Sequence, residues 1–368
     1  ILLIADHYGD RIFNDLSKKY KCIKLKSNSW FEISKNVRIK SFADWNQDST
    51  ILIEILKKDI ILNLNDAKAR GWSRTIKNLV KNYDNRFLLK LVNGADVDML
   101  NIYNHHNDFI NPRMAKNNIG NMYFESMQNW NCNFALPFSC FHKYIRKDTL
   151  KMNEFITPLK DHFEGFNSSI GELLPAFIKW DSEKNDYEKI SPEENFYEIK
   201  DPEYFGDNWS DELDKSDEAV ISNYFNKFEH VKKKFGFLSF VIGKKEFNLK
   251  LSDEKAGIKF ETPRNSLIFA IKNNIFDDIL IGNFMKTQII NANSLNPDFS
   301  PYVSKYGDNG NARSLKEIDE YFDYYKINSA DYWLDFLKIK SESIIRKSLK
   351  DYKYLYKFAK YIKRKARI

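Results

Sequence analysis

The sequence predicts a layered α/β domain, followed by a smaller α+β domain and a basic C-terminal helix. Three observations predict it. Strand-like and helix-like runs alternate over residues 1–92; short strands and a helix follow an acidic stretch at 235–274; and the last segment repeats apolar and lysine positions at helical spacing. At about 100–200 residues per domain, 368 residues suit two buried cores.

Taken in order, Ile1–Ile4, Cys22–Leu25, Val37–Ile39 and Thr50–Ile55 read as strands by length and branched content. Asp10–Tyr20 reads as a helix with Ile12, Phe13 and Leu16 inward. Asp59–Asn65 is a buried-type strand, Ser73–Tyr83 a helix and Phe87–Val92 another apolar strand. Residues 112–130 read as helical, and Asn133–Ser139 as a short strand. These form one unit over 1–180. Residues 181–234 are acidic and polar, with Pro192 and Pro202, and read as a linker or surface excursion. In the 235–330 unit, Phe237–Ile242, Glu246–Leu251 and Gly257–Glu261 suit an antiparallel meander. A helix from Ser266 and another at Ser314–Tyr325 follow, and residues 331–368 form the basic helix.

Composition excludes some classes. No apolar run approaches the ~20 residues that span a bilayer, and there is no signal-peptide pattern. Cys22, Cys132 and Cys140 have no CxxC spacing and read as reduced thiols of a cytoplasmic protein. The net charge of +7 is uneven: residues 338–368 hold twelve Lys/Arg against Glu342 and Asp351, a net +10, so the rest of the chain carries −3.

Several residues have the chemistry of a site. Asp6-His7-Tyr8-Gly9-Asp10-Arg11 superficially follows the dimetal motif HxHxDH, but its ligand positions read Asp6, Tyr8, Asp10 and Arg11, and an arginine does not ligate a cation. A strand end followed by a helix N-terminus is the better reading. Asp66 closes the apolar strand before it, which is where layered α/β folds place functional groups, although turns favour Asp anyway. His142 stands just beyond another apolar strand, either structural or a ligand, and Tyr144 and Arg146 follow it. Asn93-Gly94 reads equally as a site lip and as an ordinary turn; His105 and His106 read as surface or substrate-rim residues.

Motifs then recur in order. Asp-Trp-Asn-Gln-Asp-Ser (44–49), Leu-Asn-Leu-Asn-Asp (62–66), Asn-Gly-Ala (93–95) and the run from Pro137 to Asp148 are similar to successive motifs of the metallo-β-lactamase-fold proteins related to CMP-N-acetylneuraminate hydroxylase. So are Phe-Asp-Asp-Ile-Leu-Ile-Gly-Asn-Phe-Met-Lys-Thr (276–287) and Tyr-Gly-Asp-Asn-Gly (306–310). The resemblance implies that 1–180 is the C-terminal part of an αββα sandwich lacking its N-terminal part, with an apolar sheet face left bare. It places Asp66 at the metal-bridging aspartate and His142 at the last histidine ligand. The middle histidine is missing, with Asp44 or Asp48 as its replacement, and the HxHxDH loop falls before residue 1. The second unit is similar to sterol-carrier-like modules; a plain accessory domain is the alternative.

The implied cofactor is zinc or iron, dinuclear if an upstream HxHxDH loop exists and otherwise absent. The implied function is a metal-dependent hydrolase, or a hydroxylase with an external reductant, acting on a sugar or nucleotide-sugar-like substrate. The alternative is a catalytically degenerate protein of that fold with a binding or scaffolding role. In the tail, Leu349, Tyr352, Leu355, Tyr356 and Ala359 recur at helical spacing between lysines. Such a helix suits peripheral attachment to an anionic membrane through 338–368, or docking with a solvated outer face. No nucleic-acid module accompanies it.

Overall fold

The computed structural model describes residues 1–91, 99–110, 118–139, 142–193 and 196–348. Its first element is a βαβ unit: β1 (Leu2–Ala5), α1 (Arg11–Leu16) and β2 (Cys22–Leu25), with β2 parallel to β1. The expected strand and helix are there, but Ile12 points out and is exposed, while Phe13 and Leu16 are half-buried.

A mixed seven-stranded sheet follows, built from β3 (Trp30–Ser34), β4 (Val37–Ala43), β5 (Ser49–Ile55), β6 (Asp59–Asn65), β7 (Asn85–Lys90), β9 (Phe134–Pro137) and β10 (Glu172–Leu173). β3 to β6 pair antiparallel; β6, β7, β9 and β10 are parallel neighbours. Period-two alternation sorts the side chains. Leu52, Ile60, Leu62, Leu64 and Leu88 face α2 (Ser73–Val80) and α3 (Ile119–Trp130), where they meet Ile76, Val80, Tyr123 and Met127 in one buried core.

The opposite face carries a cross-strand apolar ladder, Ile39–Ile53–Ile61–Phe87–Phe134. The hairpin β11 (Ile178–Asp181) and β12 (Asp186–Lys189) covers one end of it. Trp180 packs edge-on against Phe87 at 4.8 Å and donates its indole N–H to Asp59 (3.0 Å). The face expected to be bare is half-buried at Ile39, Ile51, Ile53 and Ile61.

The second sheet has order β14-β13-β15-β16-β8, from β13 (Phe237–Ile242), β14 (Lys245–Lys250), β15 (Gly257–Glu261), β16 (Lys286–Ile290) and β8 (Ile102–Tyr103), an edge strand lent by the first half of the chain. The expected meander is corrected: β13 and β14 form a hairpin, but β15 returns on the other side of β13 and runs parallel to it. Against this sheet pack α4 (Lys215–Phe225), α5 (Glu229–Lys234), α6 (Arg264–Asn273), α7 (Phe276–Ile281) and a π-helical segment, Pro301–Asn309. The segment expected as a linker thus places Leu213, Ile221, Phe225 and Val231 in the second core.

The helices α8 (Leu315–Asn328) and α9 (Tyr332–Ser348) close the described chain. α8 begins in a capping box between Ser314 and Glu317, the Ser-x-x-Glu pattern. Helix α2 lacks a side-chain cap of its own. Asp335 supplies it from α9, accepting the N–H of Gly71 (2.8 Å) and of Ser73 (3.2 Å) and the Ser73 hydroxyl; Asp331 accepts the N–H of Thr75 (2.7 Å). Gly71 has φ +89, and a Cβ there would lie 2.8 Å from the Ser329 side chain, so the close approach requires glycine. Asp335→Ala removes a buried charged cap and is expected to cost about 2 kcal/mol in a urea unfolding titration, against a few tenths for exposed Asp323→Ala.

Candidate functional site

Because β4, β6, β7 and β9 run the same way, their carboxyl ends share one edge of the sheet. The turn at 44–48, the loop 66–72 and the segment leading to His142 all leave from that edge, where open α/β sheets place ligands.

The turn at 44–48 is held by its own acid. Asp44 is fully buried; one carboxylate oxygen accepts the N–H of Asn46 (2.6 Å) and the other that of Arg70 (3.3 Å). Burial, then the charge of Asp48, pushes its carboxyl up to about 6. Asp48 accepts the Asn46 side-chain amide (2.7 Å) and lies 3.7 Å from Lys305. The Arg70 guanidinium donates to the Asn46 side chain (3.2 Å), tying the loop after β6 to this turn.

Beside the turn lies the loop between β1 and α1. The His7 ring is bridged between the hydroxyls of Ser49 (2.7 Å) and Tyr325 (3.0 Å), and burial pushes it down to about 4, so it is neutral at physiological pH. Tyr8 packs edge-on against Tyr321 and Tyr324. Lys24 reaches Asp10 at 2.6 Å and Asp6 at 3.7 Å, so an ammonium sits between the two acids of the HxHxDH-like run. Arg11 turns away to cap the C-terminal end of α6, donating to the carbonyls of Asn273 (2.9 Å) and Asn274 (2.6 Å).

Asp66 is exposed at the end of β6 and accepts the Asn65 amide (3.2 Å). His142 is exposed, with its ring edge-on to Tyr144 at 5.2 Å. The remaining rim residues lie at the junction of the two sheets. The Tyr144 hydroxyl accepts from Asn283 (2.8 Å), a buried residue whose side-chain oxygen accepts the Leu100 N–H (2.5 Å). The His105 carbonyl accepts from Gln288 on β16 (3.3 Å), and its ring is exposed. Arg146 is no open rim cation: it is buried in ion pairs with Asp148 and Asp207. Asn93, Gly94 and Cys140 lie outside the described residues.

The sequence reading passed over two cations at this edge. Lys90 ends β7 half-buried, donates to the Ser126 hydroxyl (3.1 Å), and is held below the usual lysine range by burial and then by the charge of Lys68. Its signal was a charge interrupting the apolar run 87–92. Arg70, whose loop follows Asp66, had none. The Tyr-Gly-Asp-Asn-Gly run has a packing role: buried Asp308 accepts from the Tyr224 hydroxyl (2.7 Å) and the Phe276 N–H (3.1 Å).

A retained zinc or iron needs at least three protein ligands. Among the described residues no three His, Cys, Asp or Glu side chains gather in such a group. Of the expected ligands, Asp44 is engaged by two N–H groups and Asp48 by the Asn46 amide; in the HxHxDH-like run His7 is held by two hydroxyls, and Asp6 and Asp10 by Lys24. The described residues thus supply no such set by themselves. No described helix is long and apolar enough to cross a membrane, and Cys22 and Cys132 are free thiols. No protein-family model matches the chain, and no curated protein matches it.

Proposed function

We propose that the chain is a metallo-β-lactamase-like frame that works as a binding protein for an anionic, sugar- or nucleotide-sugar-like ligand. The frame reading is supported by a mixed sheet with helices on one face, an apolar ladder on the other and the loops of interest at one carboxyl edge. Lys90 carries the ligand reading. Its ammonium sits half-buried at the edge where such sheets take ligands, its hydrogen bond goes to a neutral hydroxyl, and Lys68 presses its charge further. A phosphate or carboxylate there gains a charge-assisted hydrogen bond from the Lys90 ammonium.

Calorimetric titration of the full chain with cytidine monophosphate and with inorganic phosphate tests this. Binding is expected, and Lys90→Gln weakens it by about tenfold or more. No binding of either probe, or equal binding by the variant, overturns the reading.

A second reading, a metal-dependent hydrolase or hydroxylase, rests on Asp66 and His142 both standing exposed off the same edge. Elemental mass spectrometry separates the two. The binding reading expects a folded protein without stoichiometric metal; near-stoichiometric zinc or iron that is lost in Asp66→Ala and His142→Ala favours the metalloenzyme.

A further inference from the structure

Helix α9 is packed on one side and bare on the other. Tyr332 and Asp335 are buried, and Phe336 stacks on Tyr332 at 5.8 Å. On the outer side Trp333, Leu337 and Ile344 are 56%, 61% and 58% exposed. At 3.6 residues per turn these three lie within about 40° of one another around the helix. Leu334, also exposed, borders the arc. Cations flank it: Lys326 from the end of α8 lies 5.4 Å from the Trp333 ring, and Lys340 lies 5.7 Å from the Phe336 ring.

Single exposed apolar residues are ordinary on a protein surface. Three in one arc, led by a tryptophan and bordered by lysines, form a face that water solvates poorly. The sequence from Lys338 onward adds the net +10 of twelve Lys/Arg against Glu342 and Asp351, on a chain whose remainder carries −3. We propose that the outer face of α9 lies in the headgroup region of an anionic bilayer, with Trp333, Leu337 and Ile344 inserted at the acyl boundary, drawn there by the net positive charge of the sequence from Lys338 onward. Both features are needed for that partner. The cations concentrate the chain at a negative surface, where each contributes within a Debye length, and the apolar arc converts the encounter into insertion. A nucleic acid would use the cations and leave Trp333 and Leu337 without a role.

The test is co-sedimentation of the full chain with phosphatidylcholine vesicles, with and without phosphatidylserine. Sedimentation is expected with the anionic vesicles, weakening as salt rises. The double variant Trp333→Ser/Leu337→Ser is expected to partition about tenfold more weakly, with its urea midpoint unchanged because both side chains are exposed. Absence from the anionic vesicles overturns the proposal, and so does undiminished partition of the double variant. Binding of duplex DNA by wild type and variant alike, with no vesicle binding, would assign the charge to nucleic acid instead. The residues of the carboxyl-edge site are not altered, so phosphate titration of the same variant reports separately on the binding reading.

Discussion

Asp207→Ala is expected to cost about 3–5 kcal/mol. Asp207 is buried and receives three donors: the Arg146 guanidinium (2.7 Å), the Ser266 N–H (2.9 Å) and the Ser266 hydroxyl (2.6 Å). Arg146 in turn forks onto Asp148 at 2.8 and 3.1 Å and stacks over Phe284 at 4.2 Å. Asp148 also takes the Trp209 indole N–H (2.8 Å). One cluster thus joins the segment after β9, the stretch 202–209 and the start of α6, and so ties the first sheet to the second. Truncating Asp207 strands one guanidinium N–H and two Ser266 donors, each buried donor costing about 1–3 kcal/mol, while Asp148 still neutralises the guanidinium. The neighbouring pair Lys147–Asp201, nearly as short at 2.8 Å, is mostly exposed. Asp201→Ala is therefore expected within about 0.5 kcal/mol of wild type. Urea unfolding of the two variants decides it: equal losses would mean that the Arg146 cluster is no staple.

The contrast between these two pairs also marks what the sequence could disclose. Arg146 and Lys147 are neighbours in sequence, and Asp201 and Asp207 lie in one acidic stretch; only the fold decides which pair is dry. Local patterns were legible where one physical rule dominates. The alternation and branching of 50–55 and 59–65 gave strands close to their observed bounds, and the helix expected from Ser314 begins there as α8. Pairing direction was not legible. Lys250 and Gly257 are close enough in sequence for a hairpin, yet the chain crosses to the far side of β13, and no local residue announces that choice. β3 was missed although Phe31 to Ser34 alternate apolar and polar; the run is short, and its outer half, Glu32 to Ser34, is exposed at a sheet edge. The turn between β5 and β6 places Leu56 and Lys57 at positive φ without glycine, asparagine or aspartate to signal it.

The site was legible only in part, for the same reason. Asp66 and His142 were picked out as polar residues at strand ends, and Asp44 and Asp48 through the family resemblance; all leave from one edge of the sheet. What engages them was hidden. His7 meets Tyr325 across 318 positions, and Asp44 is sealed by an N–H that arrives from Arg70. The Asp6–Arg11 run reads as a failed metal motif because its residues serve other partners: Lys24, the tyrosines of α8 and the end of α6.

Acidification is expected to act on this junction with two opposite signs, and two variants separate them. The carboxyl of Asp44 is held up to about 6, first by burial and then by Asp48, against 3.8 for an ordinary aspartate. As pH falls from 6 to 3.8 the folded chain takes a proton that the unfolded chain does not, so stability rises. The gain is about 3 kcal/mol, at about 1.4 kcal/mol per pH unit of that window. His7 does the reverse. Burial holds it down to about 4 against 6.5, opposed by the charges of Asp48 and Asp10. As pH falls from 6.5 toward 4 the unfolded chain takes a proton that the folded ring refuses, so its contribution is complete above 6.5 and about 3 kcal/mol is lost on the way down. In the wild type the two nearly cancel. His7→Gln removes the loss, so its stability should climb relative to wild type by about 3 kcal/mol between pH 6.5 and 4. Asp44→Asn removes the gain, and its stability should fall relative to wild type by a similar amount over pH 6 to 4. Urea titrations at pH 7, 6, 5 and 4 give the three profiles. Divergence of the variants in opposite directions is the expected result; profiles parallel to wild type would mean that neither group changes its proton affinity on folding.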